Sequence, residues 1–217
     1  MNFSLLSFGR LIFLVIVILA FSLNSLNAQI FTPQTEFTRQ DTLRGSITPE
    51  REWWDLTYYH LNVKVDIADS SISGSNLVQY KVLKPFQVMQ IDLQEPMEIS
   101  RITQAGESLD FEREGNAFFI SLNQKQVEGD VNQIQINFSG KPTVAVRPPW
   151  DGGFTWTQDS NGNPFVATSN QGIGASIWWP NKDHPYDEVD SLLISVNTPD
   201  SLMDVSNGRL RGVDELK

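Results

Sequence analysis

The chain has 217 residues, a formal net charge of -10 at pH 7, 40% hydrophobic residues and no cysteine. This composition is typical of a globular protein, and the absence of cysteine excludes disulfides, thiolate metal sites and thiol catalysis. Nucleic acid is not expected as a partner, because an acidic chain without a cluster of Lys and Arg is repelled by phosphates.

Residues 1–28 have the pattern of a secretory signal peptide. Arg10 precedes the apolar run Leu11–Phe21, and Ala28 followed by Gln29 offers a cleavage site. The run is shorter than the roughly 20 residues of a normal membrane span, so cleavage is predicted, with an uncleaved anchor as the alternative. We expect a periplasmic or secreted protein that has no membrane contact once the signal is removed.

The mature chain is predicted to begin with an extended lead-in over residues 29–52, which lack periodicity. From Tyr59 to Ile67 apolar residues alternate with polar ones, which is the pattern of a half-buried strand. A turn-rich stretch at 68–74 and an aromatic and β-branched run at 77–83 complete a predicted hairpin.

Further short strands are separated by turn signals, and no stretch over ten residues has convincing helical spacing. They cover residues 88–93, 97–102, 117–122, 131–138, 154–157, 165–168 and 191–196. This spacing predicts an all-β fold over residues 53–217, either an antiparallel β-sandwich or a saddle-shaped sheet.

Asn161 and Gly162 predict a hairpin turn within this series. Together with Asp159, the turn also resembles the start of a calcium loop. Pro164 stands where such loops need glycine, and Asn170 where they need a bidentate glutamate, so no metal is expected there.

No complete active site is visible. The chain has only two histidines, His60 in a predicted strand and His184 in a loop, and it contains no His-Glu-x-x-His zinc motif and no Gly-x-Ser-x-Gly elbow. We interpret His60 as a solvent-side strand residue. The loop around His184 is interpreted as solvated and acidic rather than as a cation site, because it also contains Asp183, Asp187, Glu188 and Asp190.

The stretch from Gln171 to Pro185 concentrates two glycines, a tryptophan pair and two prolines, which together specify one irregular shape. A dinucleotide loop is rejected because Ile177 replaces the third small residue and no βαβ pattern surrounds it. Residue chemistry alone leaves two interpretations open. Either Gln171 and four tryptophans bind a ligand, or Gln171 caps a turn and the indole rings belong to the core. The four tryptophans are Trp150, Trp156, Trp178 and Trp179.

From about Trp54 to Gly208 the chain resembles the N-terminal β-domain of the M1 zinc aminopeptidases, the aminopeptidase N-like gluzincins. In that family a Gln or Glu lies nine residues before a proline that opens a Pro-x-x-Asp-x-Pro motif, and this sequence has the same spacing. The matching residues are Gln171, Pro180, Asp183 and Pro185, supported by Tyr59 to Val63, Ser73 to Ser75, Phe138 to Gly140 and Ser206 to Gly208.

The resemblance implies that Gln171 holds the α-amine of a peptide substrate. It also implies that the domain packs on a thermolysin-like catalytic domain, which would carry the zinc. This sequence departs from the family at Ser176, where many members have Arg, and at Glu188, where many have Lys. Pro180, Asp183 and Pro185 are expected to shape the loop.

The zinc motif and the Gly-x-Met-Glu-Asn substrate loop of the family would lie beyond Lys217, which predicts a chain truncated at its C-terminus. The expected function is therefore that of the exported N-terminal domain of an M1-like aminopeptidase, inactive and without metal by itself. Two alternatives are a secreted β-sandwich that binds glycan or protein through its tryptophans, and a non-catalytic scaffold relative.

Overall fold

The computed structural model describes residues 36–215, and the predicted signal peptide at 1–28 lies outside them. All helices and strands belong to one compact unit, Thr38–Lys217. Within residues 36–215, none of the helices has the length and apolar character needed to cross a bilayer.

Two short helices open the described chain, α1 (Arg39–Gly45) and α2 (Pro49–Glu52), so the predicted extended lead-in is wrong over these residues. A capping box starts α1: the Thr38 hydroxyl accepts from the Asp41 backbone N–H at 3.2 Å, and the Asp41 carboxylate accepts from Thr38 N–H at 2.9 Å. Pro49 starts α2, where its fixed φ suits a first turn. Helices this short contain too few residues to show a helical period in the sequence. Their caps are therefore the only sequence signal that indicates them.

The rest of the chain is mostly β, as predicted. Its strands are β1 (Trp54–Asp66), β2 (Ser71–Val82), β3 (Val88–Asp92), β4 (Glu98–Gln104), β5 (Glu107–Ser108), β6 (Asp110–Glu114), β7 (Ala117–Ser121), β8 (Val131–Gly140), β9 (Gly153–Gln158), β10 (Pro164–Ser169) and β11 (Ser191–Asn197).

The strands form three sheets: a six-stranded sheet in the order β11-β1-β2-β8-β4-β5, a three-stranded sheet β3-β7-β6, and the hairpin β9-β10. The predicted β1–β2 hairpin is confirmed, but Ser71 to Gly74 are strand residues rather than turn. The pairing departs from a purely antiparallel sheet at β11, which runs parallel to β1. Residues 67–190 lie between these two strands and supply the crossover that a parallel pair requires.

One buried cluster joins the two larger sheets. It contains Leu61 and Tyr80 from the six-stranded sheet and Met89, Phe118 and Ile120 from the three-stranded one. Apolar side chains alternate inward along these strands, so both sheets bury one face against a shared core, and the opposite residues stay polar.

The β9–β10 hairpin projects a turn at residues 159–163. The Asp159 carboxylate accepts backbone N–H groups from Asn161 at 2.7 Å and Asn163 at 2.9 Å, and Gly162 has a φ of +84°. Asp159 therefore shapes the turn that the sequence predicts here.

Gly74→Ala tests how closely the central strands approach. Gly74 pairs with Val63 in β1 and Phe138 in β8, and an added Cβ would overlap the backbone carbonyl of Asn62. We expect the variant to lose about 1 to 3 kcal/mol in the free energy of unfolding, measured by urea denaturation, because the strands must separate. Gly45→Ala is the control, since nothing lies within 4 Å of a Cβ there. Equal urea midpoints for wild type and Gly74→Ala would contradict the close approach.

Candidate functional site

Gln171 lies in a turn immediately after β10, and the residue is exposed. The Gly174 N–H donates to the Asn170 carbonyl at 3.0 Å and closes the turn. No hydrogen bond of the Gln171 side chain is found within residues 36–215. The carboxamide is therefore available to a ligand, with an oxygen that accepts and a nitrogen that donates.

The backbone under Gln171 is held from two sides. Arg44 in α1 donates to the Gly172 carbonyl at 3.2 Å, and Gln94, which follows β3, donates from Nε2 to the Ile173 carbonyl at 2.6 Å. Gly174 closes the turn with a φ of +85°, and an added Cβ there would overlap the Asp183 carboxylate. The position of the Gln171 backbone is thus set by the protein before a ligand arrives.

The second half of the segment is tied down by its polar groups. Asn76 Nδ2 in β2 donates to the Pro180 carbonyl at 2.9 Å, and the Ser176 hydroxyl donates to Asp183 Oδ2 at 2.5 Å. Ser176 therefore supplies a neutral partner for Asp183 at the position where many family members have Arg. Pro185 lies at the exposed end of this segment.

A buried ion pair fixes the centre of the segment. Arg51 of α2 contacts Asp92 of β3 at 2.6 Å between Nη2 and Oδ2, and both side chains are almost completely enclosed. Asp92 also accepts from Gln90 Nε2 at 3.0 Å and from the Asp183 N–H at 3.1 Å. Burial raises the pKa of the Asp92 carboxyl, and the Arg51 guanidinium and the hydrogen bonds oppose that shift.

A second buried cation lies nearby. Lys182 Nζ donates to the Trp54 carbonyl at 2.6 Å and to Asp187 Oδ2 at 2.5 Å. It lies 3.9 Å from the centroid of the Trp54 ring and 4.8 Å from that of Tyr186, so aromatic faces replace part of its hydration. Burial lowers the pKa of Lys182 to about 8, and Asp187 opposes the shift.

The interpretation of the His184 loop as solvated and acidic is wrong for Asp187, whose side chain is 7% exposed and neutralises Lys182.

The His184 ring lies between two backbone groups. Its Nδ1 faces the Tyr186 N–H at 3.3 Å and must accept, so Nε2 carries the proton and donates to the Gly45 carbonyl at 3.2 Å. The strand position predicted for His60 is confirmed: it lies in β1, with Nε2 3.1 Å from the Ser195 hydroxyl.

Zinc, which the resemblance places in a catalytic domain, does not fit the described residues. Between residues 36 and 215, no three His, Asp or Glu side chains are grouped so that they could hold a metal ion. His60 and His184 lie on separate elements, and both are engaged with other groups. No step of a metal-dependent reaction can therefore be assigned to this part of the chain.

The four tryptophans do not form one exposed platform. Trp179 is 8% exposed and packs edge-on against Tyr59, so it belongs to the core. Trp156 and Trp178 are partly buried, and both contact Phe154, at 5.3 and 5.9 Å between ring centroids. Trp150 alone of the four is largely exposed, at 89%.

The three sheets and the segment after β10 define a β-domain, and the comparison with known families says which kind it is. The family of the Peptidase M1 N-terminal domain matches residues 56–217, and the chain belongs to this family. This confirms the family that the spacing of Gln171, Pro180, Asp183 and Pro185 indicates.

Solved structures share the fold at low sequence identity. The M1 zinc metallopeptidase from Deinococcus radiodurans is 17% identical, with a TM-score of 0.54 over 68% of this chain and 33% of its own. Leukotriene A4 hydrolase from Saccharomyces cerevisiae is 21% identical, with a TM-score of 0.55 over 67% of this chain and 23% of its own. The yeast enzyme in complex with bestatin is 18% identical, with a TM-score of 0.59 over 81% of this chain and 27% of its own.

The chain thus spans between about a quarter and a third of the length of these structures. No curated protein matches the sequence.

The buried Lys182 predicts a specific pH dependence of stability. Its pKa is about 8 in the folded chain and 10.5 without burial, so the unfolded chain binds more protons between these values and stability rises with pH. Relative to Lys182→Met, we expect the wild-type free energy of unfolding to increase by about 2 kcal/mol from pH 7 to pH 10. Urea unfolding of both proteins across this range measures the difference. Parallel pH profiles would contradict the lowered pKa, whatever the absolute stability of the variant.

Proposed function

We propose that this chain is the N-terminal β-domain of an exported M1-like zinc aminopeptidase, and that Gln171 binds the free α-amine of its peptide substrate. The observation that carries the proposal is the unpaired carboxamide of Gln171 on a turn whose backbone is already held by Arg44 and Gln94. Membership of the M1 N-terminal domain family supports it.

The chemistry of an amine anchor is simple. A protonated α-amine has three N–H donors and no acceptor, so it requires an oxygen in a fixed position. The Gln171 oxygen meets this need without adding a charge to an already acidic chain. Because the turn is preorganised, binding the amine would also fix the distance from the first residue to the reacting bond, which orients the substrate for attack.

The remaining parts of the enzyme would come from outside the described residues. A thermolysin-like domain that packs on this one would hold the zinc, since no metal-binding group occurs in residues 36–215. The predicted signal peptide at 1–28 supports export to the periplasm or beyond. By itself the chain is proposed to be catalytically inactive.

The alternative of a tryptophan-based binding module loses its main support. A glycan platform would need several neighbouring exposed rings, and Trp179 lies in the core while Trp156 and Trp178 pack on Phe154. A non-catalytic scaffold relative is distinguished from an active peptidase by the experiment below.

The test uses the longer protein that contains this chain, assayed on aminoacyl chromogenic substrates. We expect Gln171→Ala to lower kcat/KM by about 5- to 150-fold, the equivalent of about 1 to 3 kcal/mol for a buried ammonium left without its partner. Gln171→Glu should retain activity because a carboxylate also accepts from the amine. Gln133→Ala, which removes another exposed glutamine from β8, is the matched control.

Two further measurements complete the test. The 217-residue chain alone should cleave none of the substrates, and any activity in it would contradict the proposed division of labour. An unchanged kcat/KM in Gln171→Ala would refute the anchor role. A longer protein without activity on any aminoacyl substrate would favour the scaffold.

A further inference from the structure

Two short helices precede the part of the chain that matches the family. Both α1 and α2 end before residue 56, where the match to the M1 N-terminal domain begins. Each helix buries a side chain against the domain: Leu43 of α1 is 2% exposed, and Arg51 of α2 is completely buried. The two helices are therefore part of the folded unit, although they lie outside the matched residues.

The position of α1 is set by contacts that do not involve the side chain of Arg44. The Leu43 carbonyl accepts from Arg51 Nη1 at 2.6 Å. At the start of the helix, Arg39 forms a two-point ion pair with the Glu114 carboxylate, at 3.0 and 3.1 Å. Removing the Arg44 side chain should therefore leave α1 docked on the domain.

The C-terminal end of α1 reaches both ends of the segment that follows β10. Arg44 Nη2 donates to the Gly172 carbonyl at 3.2 Å. The carbonyl of the next residue, Gly45, lies 3.2 Å from His184 Nε2, which donates to it. Two adjacent residues of one helix thus hold the turn that presents Gln171 and the loop further along the same segment.

The turn depends on this restraint because a glycine lies directly beside Gln171. Gly172 has a φ of +81°, and nothing among residues 36–215 lies within 4 Å of a Cβ built on it. Glycine reaches many backbone conformations without steric cost, so packing does not fix this peptide unit. Gln94 holds the Ile173 carbonyl, one residue further from Gln171. The hydrogen bond from Arg44 is the one that fixes the direction of the Gly172 carbonyl.

We propose that Arg44 is a positioning residue for substrate binding, which acts through Gly172 to hold the Gln171 carboxamide where the α-amine arrives. The inference rests on the proposed function and adds that a helix outside the matched residues takes part in it. A guanidinium has no acceptor for an ammonium and carries the same charge. Arg44 therefore acts on the substrate amine only through Gln171.

The experiment measures kcat/KM for Leu- and Glu-p-nitroanilide in the longer protein that contains this chain. For Arg44→Ala we expect a fall of about 3- to 10-fold on both substrates, mainly through KM, which is the effect of losing one exposed hydrogen bond. Arg44→Lys should restore most of the loss, because an ammonium also donates to a carbonyl. A loss confined to the Glu substrate would show that Arg44 binds a substrate carboxylate directly, and would overturn the positioning role.

Arg39→Ala is the matched control, since it removes another exposed arginine of α1 that contacts Glu114 and not the turn. It should leave both kcat/KM values unchanged, and the urea midpoints of Arg39→Ala and Arg44→Ala should agree with each other. An equal loss of activity in the two variants would assign the effect to the docking of the whole helix, and would contradict a specific role for Arg44.

A double-mutant cycle with Gln171→Ala separates this inference from the proposed function. Because Arg44 acts through Gln171, the double variant should have the same kcat/KM as Gln171→Ala alone. If Gln171→Ala lowers kcat/KM while Arg44→Ala changes nothing, or if the two losses multiply, the anchor stands and the role of Arg44 is refuted. If Gln171→Ala changes nothing, or the longer protein cleaves no substrate, the proposed function fails and the positioning role fails with it.

Discussion

The buried carboxylate of Asp92 is the constraint on which the site depends. It contacts Arg51 of α2, Gln90 of β3 and the backbone N–H of Asp183, so three parts of the chain meet at one side chain. Removing one partner of such a pair costs about 3 to 5 kcal/mol, because the remaining charge is left buried without compensation. The position of the segment that follows β10 is therefore tied to the core of the domain.

The restraint extends from Asp92 to the exposed turn. The backbone of Asp92 exchanges hydrogen bonds with Asn181 at 2.8 and 3.1 Å, and Gln94, two residues further on, holds the Ile173 carbonyl. Lys182 anchors the same segment to β1 through the Trp54 carbonyl. Gln171 is thus an exposed side chain on a rigid support, which is the arrangement that a positioning residue requires, since its geometry must survive the arrival of the ligand.

Local patterns in the sequence were sufficient for much of the fold. The alternation from Tyr59 to Ile67 and the Asn161-Gly162 turn depend on near neighbours, and both are found where the sequence places them. The helices α1 and α2 were missed because their signals are caps, not periods, although Thr38 with Asp41 and Pro49 could have indicated them. The parallel pairing of β11 could not be predicted because it depends on where a long connection returns.

The polar support of the site was beyond sequence reasoning for a similar reason. Arg51 and Asp92 are 41 residues apart in the sequence, and Lys182 and Trp54 are 128 residues apart. No local spacing therefore reveals either contact. Residue chemistry alone left Gln171 as either a recognition residue or a turn cap, and only the resemblance to a family implied that it holds an amine. That its amide makes no hydrogen bond within residues 36–215 could be seen only in the folded chain.

A crystal structure of the longer protein with a bound peptide that has a free N-terminus tests the central claim most directly. The account predicts that the Gln171 side-chain oxygen lies about 2.7 to 3.2 Å from the peptide α-amine, while the backbone of the turn keeps the position seen here. An amine held by other groups, with the Gln171 side chain left in solvent, would contradict it.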